Sequence, residues 1–150
     1  MLMNYYCELE DHELRYAKDG DAGLDLPITE KVVLEPGQRE KIKTGVHVEI
    51  PEGHFGLLDT RSSTGGGLGI DLMCRTIDQG YRGNIRVAVI NHSDETLTFE
   101  PGERLAQLLV LPVAQVKLNR VENPEKLSES ERGDTGFGST GKKNYVGGKN

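Results

Sequence analysis

Asp78 and Tyr81 stand three residues apart in Thr76-Ile77-Asp78-Gln79-Gly80-Tyr81-Arg82-Gly83. A carboxylate is ionised at neutral pH and can take a proton from water. An aromatic ring offers a flat apolar face to a sugar or base. Gly80 and Gly83 carry no Cβ, so the backbone here can approach a small ligand closely. The same residue types also build ordinary turns between strands, and this segment alone leaves both readings open.

Other segments add to it. Arg61-Ser62-Ser63-Thr64-Gly65-Gly66 joins a guanidinium to hydroxyls and free glycine amides, a composition suited to phosphate. Gln107 lies inside the apolar run Leu105-Ala106-Gln107-Leu108-Leu109 and needs hydrogen-bond partners, as a satisfied core residue or as a ligand contact. Asp25, in Ala22-Gly23-Leu24-Asp25-Leu26, can orient a neighbour, bind a hydrated metal or cap a turn.

Toward the C-terminus, Gly136 to Lys142 has the spacing G-x-x-x-x-G-K. It is not a P-loop: Lys143 stands where a Ser or Thr would meet Mg²⁺, and no strand and helix frame it. Its backbone amides, with Arg132, Ser139, Thr140 and the lysines, still make a flexible anion grip. Phe137, between Gly136 and Gly138, reads as a stacking surface rather than a core residue. A floppy tail with an incidental Phe is the competing reading.

The elements that must position these groups read as β. Val46, Val48 and Ile50 alternate with His47 and Glu49, the period of a half-buried strand. Phe55 to Thr60 forms a strand that delivers Arg61. Ile85 to Ile90 and Leu105 to Leu111 are nearly continuous apolar runs, as expected of strands covered on both faces. Pro36-Gly37, Pro51-Glu52-Gly53 and Pro101-Gly102 punctuate them as tight turns. Ser62 to Gly69 reads as a loop or one short helical turn. Short strands with frequent turns favour a sandwich, jelly roll or barrel over a parallel α/β fold. The core spans residues 1–118, and residues 119–150, polar and glycine-rich, form an arm able to reach a neighbouring subunit.

A chain of 150 residues is one domain by size. Its net charge of −6 argues against a general nucleic-acid binder, though local arginines can still hold a phosphorylated small molecule. Cys7 and Cys74 are too few for a disulfide scaffold and favour a reducing, cytoplasmic setting. The four histidines are scattered without metal-ligand spacing. No apolar run has the length of a membrane span, and the N-terminus lacks a signal pattern.

Five segments together resemble the trimeric dUTP pyrophosphatase (dUTPase) family, in order and in spacing. They are Ala22 to Leu26, Arg61-Ser62-Ser63, Ile77 to Gly83, Gly102 to Leu108, and Arg132 to Gly141. The resemblance implies a jelly-roll subunit in a homotrimer, each active site drawing residues from three chains. It implies hydrolysis of dUTP to dUMP and pyrophosphate with Mg²⁺ on the triphosphate, lowering dUTP and supplying dUMP for dTMP synthesis. Asp78 would be the general base toward water attacking the α-phosphorus. Tyr81 would lie beneath the deoxyribose, excluding a 2′-hydroxyl. Arg61, Ser62, Ser63 and Gln107 would hold the phosphates, with Asp25 acting through water on the metal side. From the arm, Arg132 would grip the terminal phosphate, Phe137 would close over uracil, and Gly138, Ser139 and Thr140 would wrap the phosphates.

The base-binding hairpin departs from the family pattern. Arg75 stands where the family usually has Gly, and Leu72 where many members carry Asn. If that Gly serves a positive φ or a close approach, Arg75 must strain or shift the backbone. Two rival readings remain. A dCTP deaminase shares the fold and the Arg-Ser-Ser start, but its glutamate base corresponds here to Ala88. A dUTPase-like trimer can also serve as a nucleotide-dependent regulatory binding protein, its arm ordering on occupancy.

Overall fold

Alternation of apolar and polar side chains decides which face of each strand turns inward. In the computed structural model, which describes residues 1–130 with Gly133 and Asp134, Val46 and Val48 of β5 (Val46–Glu49) are buried between less buried His47 and Glu49. The chain divides into two units, Met1–Gln115 and Val116–Asn150. The first holds all strands found among the described residues, every paired strand antiparallel.

The sheet that matters most runs in the order β2 (Leu24–Pro27), β11 (Arg104–Pro112), β6 (His54–Thr60), β8 (Thr76–Ile77). A second sheet places β9 (Arg86–Asn91) between β4 (Arg39–Lys43) and β7 (Ile70–Met73). Two two-stranded sheets, each of strands distant in the chain, complete the body: β1 (Asn4–Cys7) with β5, and β10 (Leu97–Phe99) with β3 (Val32–Leu34). The result is an all-β, jelly-roll-like fold. Leu26, Leu34, Ile42, Val46, Leu58, Val87, Val89 and Leu108 form the centre of its core.

Register fixes what shares a face. Gln107 on β11 is paired with Asp25 on β2 and with Asp59 on β6, so these polar residues form one row across the sheet. Leu24, Leu26, Leu58 and Leu108, displaced by one position, are buried on the opposite face. A register shift between Arg104 and Ala106 lets both Leu105 and Ala106 be buried. Farther along β11, Leu109 and Leu111 are only half-buried, beside half-buried Leu57 and Phe55 of β6. The double coverage expected for this run is therefore incomplete within one chain.

The fully buried polar residues Thr44, Thr64 and Asn91 are satisfied, whereas the buried His12 Nε2 has no partner among the described residues. Thr44 donates to the Ile85 carbonyl at 2.8 Å, and Asn91 donates to the carbonyls of Leu34 and Glu95 at 3.0 and 2.8 Å. The second unit contains a 3₁₀ turn, Pro124–Lys126, and its Val116, Leu118 and Leu127 are exposed. Among the described residues no helix is long and apolar enough to cross a membrane.

Candidate active site

The row that Gln107 defines ends in a cluster of charge. Asp25 presents one oxygen to Arg61 Nε at 2.8 Å and the other to Arg104 at 2.9 Å. The Asp25 side chain is 13 % exposed and those of Arg61 and Arg104 25 % and 48 %. Two cations around one anion leave positive charge facing solvent, the condition for capturing a phosphate. Arg61 also donates to the Arg104 carbonyl at 3.0 Å, which fixes its fork against the start of β11. Of the roles open to Asp25, the structure shows it orienting two arginines.

Thr64 holds the Arg61 turn in place. Residues Ser63–Gly67 form one π-helical turn, the short helical alternative anticipated for this stretch. The buried Thr64 hydroxyl accepts the Arg61 N–H at 3.1 Å and lies 3.0 Å from the Leu105 carbonyl, tying the turn to β11. Gly65 is packed against Thr60, whose hydroxyl would lie 2.5 Å from a Cβ at this position. Ser62 makes no capping bond, and Ser62 and Ser63 are both exposed. Gln107 is half-buried and donates to the Thr60 carbonyl at 2.9 Å, so one of its amide bonds is satisfied within the chain.

Asp78 and Tyr81 lie elsewhere. Asp78 follows β8 and is exposed, and the Tyr81 N–H closes a turn onto the Asp78 carbonyl at 3.0 Å. Tyr81 is 41 % exposed, and its hydroxyl donates to the Asn84 carbonyl at 2.8 Å. The ring folds over Gly83, where a Cβ would meet the hydroxyl at 2.5 Å. Thr76, Ile77, Asp78, Tyr81 and Arg86 line a shallow cavity of about 210 Å³. Arg86 escaped the sequence reading because it lies inside the apolar run Ile85 to Ile90.

The two groups occupy opposite ends of one sheet. Ile77 pairs with Gly56 near the start of β6, whereas Asp59 and Arg61 mark its end. Three strand spacings of ~4.8 Å and four residues of ~3.3 Å separate Asp78 from Asp25 by about 20 Å. Within one chain, a single triphosphate does not span them. A larger cavity of about 540 Å³ adjoins Asp25 and Arg104, with Asp11, Glu13 and Arg15 on its walls. Its mixed charges and distance from Asp78 make it a flank of the cationic cluster rather than a separate reaction centre.

The hairpin corrects one expectation. The positive φ falls on Cys74, at 55°, and not on Arg75. Arg75 instead reaches across to β6, donating from Nε to the Leu58 carbonyl at 2.9 Å and pairing with the Asp59 carboxylate. Its guanidinium therefore extends the ladder between β6 and β8. Arg104, Asp59 and Thr64 are further contributors absent from the predicted site; the first two show their role only when their long-range partners are known. Arg132, Phe137, Gly138, Ser139 and Thr140 lie outside the described residues.

Comparison with known proteins bears on this arrangement. The family model described as dUTPase matches residues 10–141. The chain is 45 % identical over 130 residues to a deoxyuridine 5′-triphosphate nucleotidohydrolase of Anaeromyxobacter sp. (strain Fw109-5), covering 85 % of this chain and 86 % of the relative. It is 40 % identical over 136 residues to the protein of that name from Clostridium tetani, covering 89 % and 92 %. Among solved structures, a mutant dUTPase of Staphylococcus bacteriophage 80alpha with dUpNHpp is similar at a TM-score of 0.83 and 32 % identity, over 93 % of this chain and 98 % of the other. A mutant dUTPase from phage phi11 of S. aureus, described with a structural Mg(II) ion, is similar at a TM-score of 0.75 and 29 % identity, over 83 % and 99 %.

Proposed function

The chain belongs to the dUTPase family, and from that membership we propose that it hydrolyses dUTP to dUMP and pyrophosphate, lowering dUTP and supplying dUMP. The observation that carries the mechanism is the exposed Asp78 carboxylate beside the exposed Tyr81 ring. Among the described residues no cation pairs with Asp78. It is therefore available to take a proton from a water aimed at the α-phosphorus. The Tyr81 face packs on deoxyribose, and the fold of the ring over Gly83 fixes where that sugar sits.

Arg61, steadied by Asp25, holds the phosphate chain together with Ser62, Ser63 and Gln107. Catalysis of this kind rests on positioning and charge neutralisation rather than covalent chemistry. From the arm, Arg132, Phe137, Gly138, Ser139 and Thr140 complete the grip on phosphates and base. Mg²⁺ fits as the companion of the triphosphate. Each Asp25 oxygen accepts one arginine bond and keeps a lone pair for a bound water, and among the described residues no dedicated cluster of metal ligands forms. When bound, the ion neutralises phosphate charge.

A homotrimer is part of this proposal, and the separation of Asp78 from the Asp25 cluster within one chain supports a site shared between subunits. Asp78 of one subunit meets the Arg61–Asp25 cluster of the next, bridging a separation that one chain leaves open. The half-buried Phe55, Leu57, Leu109 and Leu111 supply apolar surface for such contacts. The test is pyrophosphate release with Mg²⁺ from dUTP, dTTP, dCTP and UTP, for the wild type and Asp78→Asn. Release from dUTP that is lost in the variant supports the reading; no release from any nucleotide by the assembled protein rejects it.

A further inference from the structure

Tyr81 is only as well placed as Asn84, and Asn84 is held from the far end of the chain. Its Nδ2 donates to Glu8 Oε1 at 2.9 Å, and its Oδ1 accepts the Gly45 N–H at 3.2 Å. Glu8 lies directly after β1, where its own N–H donates to the Gly45 carbonyl at 2.8 Å. The same Oε1 faces His47 Nε2 at 3.3 Å, while His47 Nδ1 faces the Arg82 carbonyl at 2.9 Å. Two contacts thus run from Glu8 into the loop after Asp78. One passes through Asn84 to the Tyr81 hydroxyl; the other passes through His47, whose two ring nitrogens both face acceptor oxygens, so both of its bonds form together only in the doubly protonated ring.

We propose that Glu8 is a positioning residue of the active site, clamping the Asp78–Asn84 loop through Asn84 and His47 so that the Tyr81 ring and Asp78 carboxylate are held for the substrate. The inference rests on the reading of Asp78 and Tyr81 given above. Several observations support it. Glu8 is bonded to two side chains that each contact the loop, although it lies 76 residues from Asn84 in sequence. The loop has few ties of its own: the Tyr81 N–H to Asp78, the Tyr81 hydroxyl to Asn84, and Arg82 to the Gln79 and Tyr81 carbonyls. Among the described residues the Arg82 guanidinium is anchored outside the loop only at 3.6 Å, to Glu49. The carboxylate of Glu8 is held below its ordinary range by the His47 hydrogen bond and then by Asn84. Glu8 is not among the residues lining the cavity beside Asp78 and Tyr81, so it acts through its partners.

The test compares wild type, Glu8→Ala and Glu8→Gln by two readouts. Amide hydrogen exchange across residues 78–84 reports the loop without requiring turnover, with Val87 to Val89 of β9 as internal reference. Steady-state kinetics with dUTP report the consequence. In Glu8→Ala, exchange at the Tyr81 amide is expected to rise about tenfold with the β9 amides unchanged, and kcat/KM to fall about tenfold. Glu8→Gln keeps an acceptor oxygen for Asn84 and is expected to restore most of both. Unchanged exchange in the loop overturns the proposal. So does faster exchange that extends equally into β9, since Glu8 would then serve only general stability. If the wild type fails to hydrolyse dUTP, the functional reading falls while exchange still decides the clamp.

Discussion

Gln107 occupies the space that a side chain at position 23 would need: a Cβ on Gly23 would lie 2.3 Å from Gln107 Oε1 and 2.9 Å from its Cδ. The glycine ahead of Asp25 thus serves close approach, not a positive φ. It lets β2 lie against the carboxamide while Gln107 Nε2 reaches the Thr60 carbonyl.

Gly23→Ala is expected to push Gln107 off Thr60 and to cost about 1 kcal/mol, near the worth of one hydrogen bond. Gln107→Ala in the same chain frees the space, so the double variant is expected to be less destabilised than the sum of the singles. Urea denaturation of the four proteins measures the coupling.

Asp25→Asn removes the charge shared by Arg61 and Arg104. Loss of two charge-assisted bonds in a mostly buried carboxylate is expected to cost about 2 kcal/mol. It also releases Arg61, so KM for dUTP is expected to rise more than kcat falls. Denaturation and steady-state kinetics check the two parts separately.

Cys74→Gly is expected to stabilise the hairpin by ~0.5–1 kcal/mol, because glycine adopts the φ of 55° without the penalty an L side chain bears. Arg75→Gly, by contrast, relieves no strain and removes the Asp59 pair, whose side chains are 41 % and 40 % exposed. With the Leu58 carbonyl bond also lost and the backbone entropy of glycine added, its stability is expected to fall by about 1–2 kcal/mol. Thermal denaturation of both variants separates these effects.

Subunit mixing tests the shared site. Asp78→Asn and Arg61→Gln subunits are each expected to be poorly active alone. Randomly reassembled at equal amounts, they restore about a quarter of the sites if Asp78 and Arg61 come from different chains. Pyrophosphate release after co-refolding reads this directly, and no recovery places both residues in one chain's site.

The Glu8 contacts carry a sign with pH. The Glu8 carboxyl is held below its ordinary value of 4.5 by His47, then Asn84, with Lys43 adding a favourable charge. A group depressed on folding stabilises above its unfolded value, and the contribution is lost as pH falls through the folded value. NMR titration of the Glu8 side chain is therefore expected to give a midpoint below 4.5, shifting upward in Asn84→Ala.

The sequence by itself determined the β character, the face of strands such as Val46–Glu49 and the turns, because these depend on short-range patterns. Val46 and Val48 reveal a strand face through a period of two, and Asp78 with Tyr81 sits within one turn. Tertiary structure alone decided that Asp25 pairs with Arg61 and Arg104, 36 and 79 positions away, because strand register brings them together. It also moved the positive φ to Cys74 and turned Arg75 onto β6. Finally, it set Asp78 and Asp25 at opposite ends of one sheet. Local periodicity says which face a residue occupies; only the order and register of strands far apart in the chain say which residues meet there.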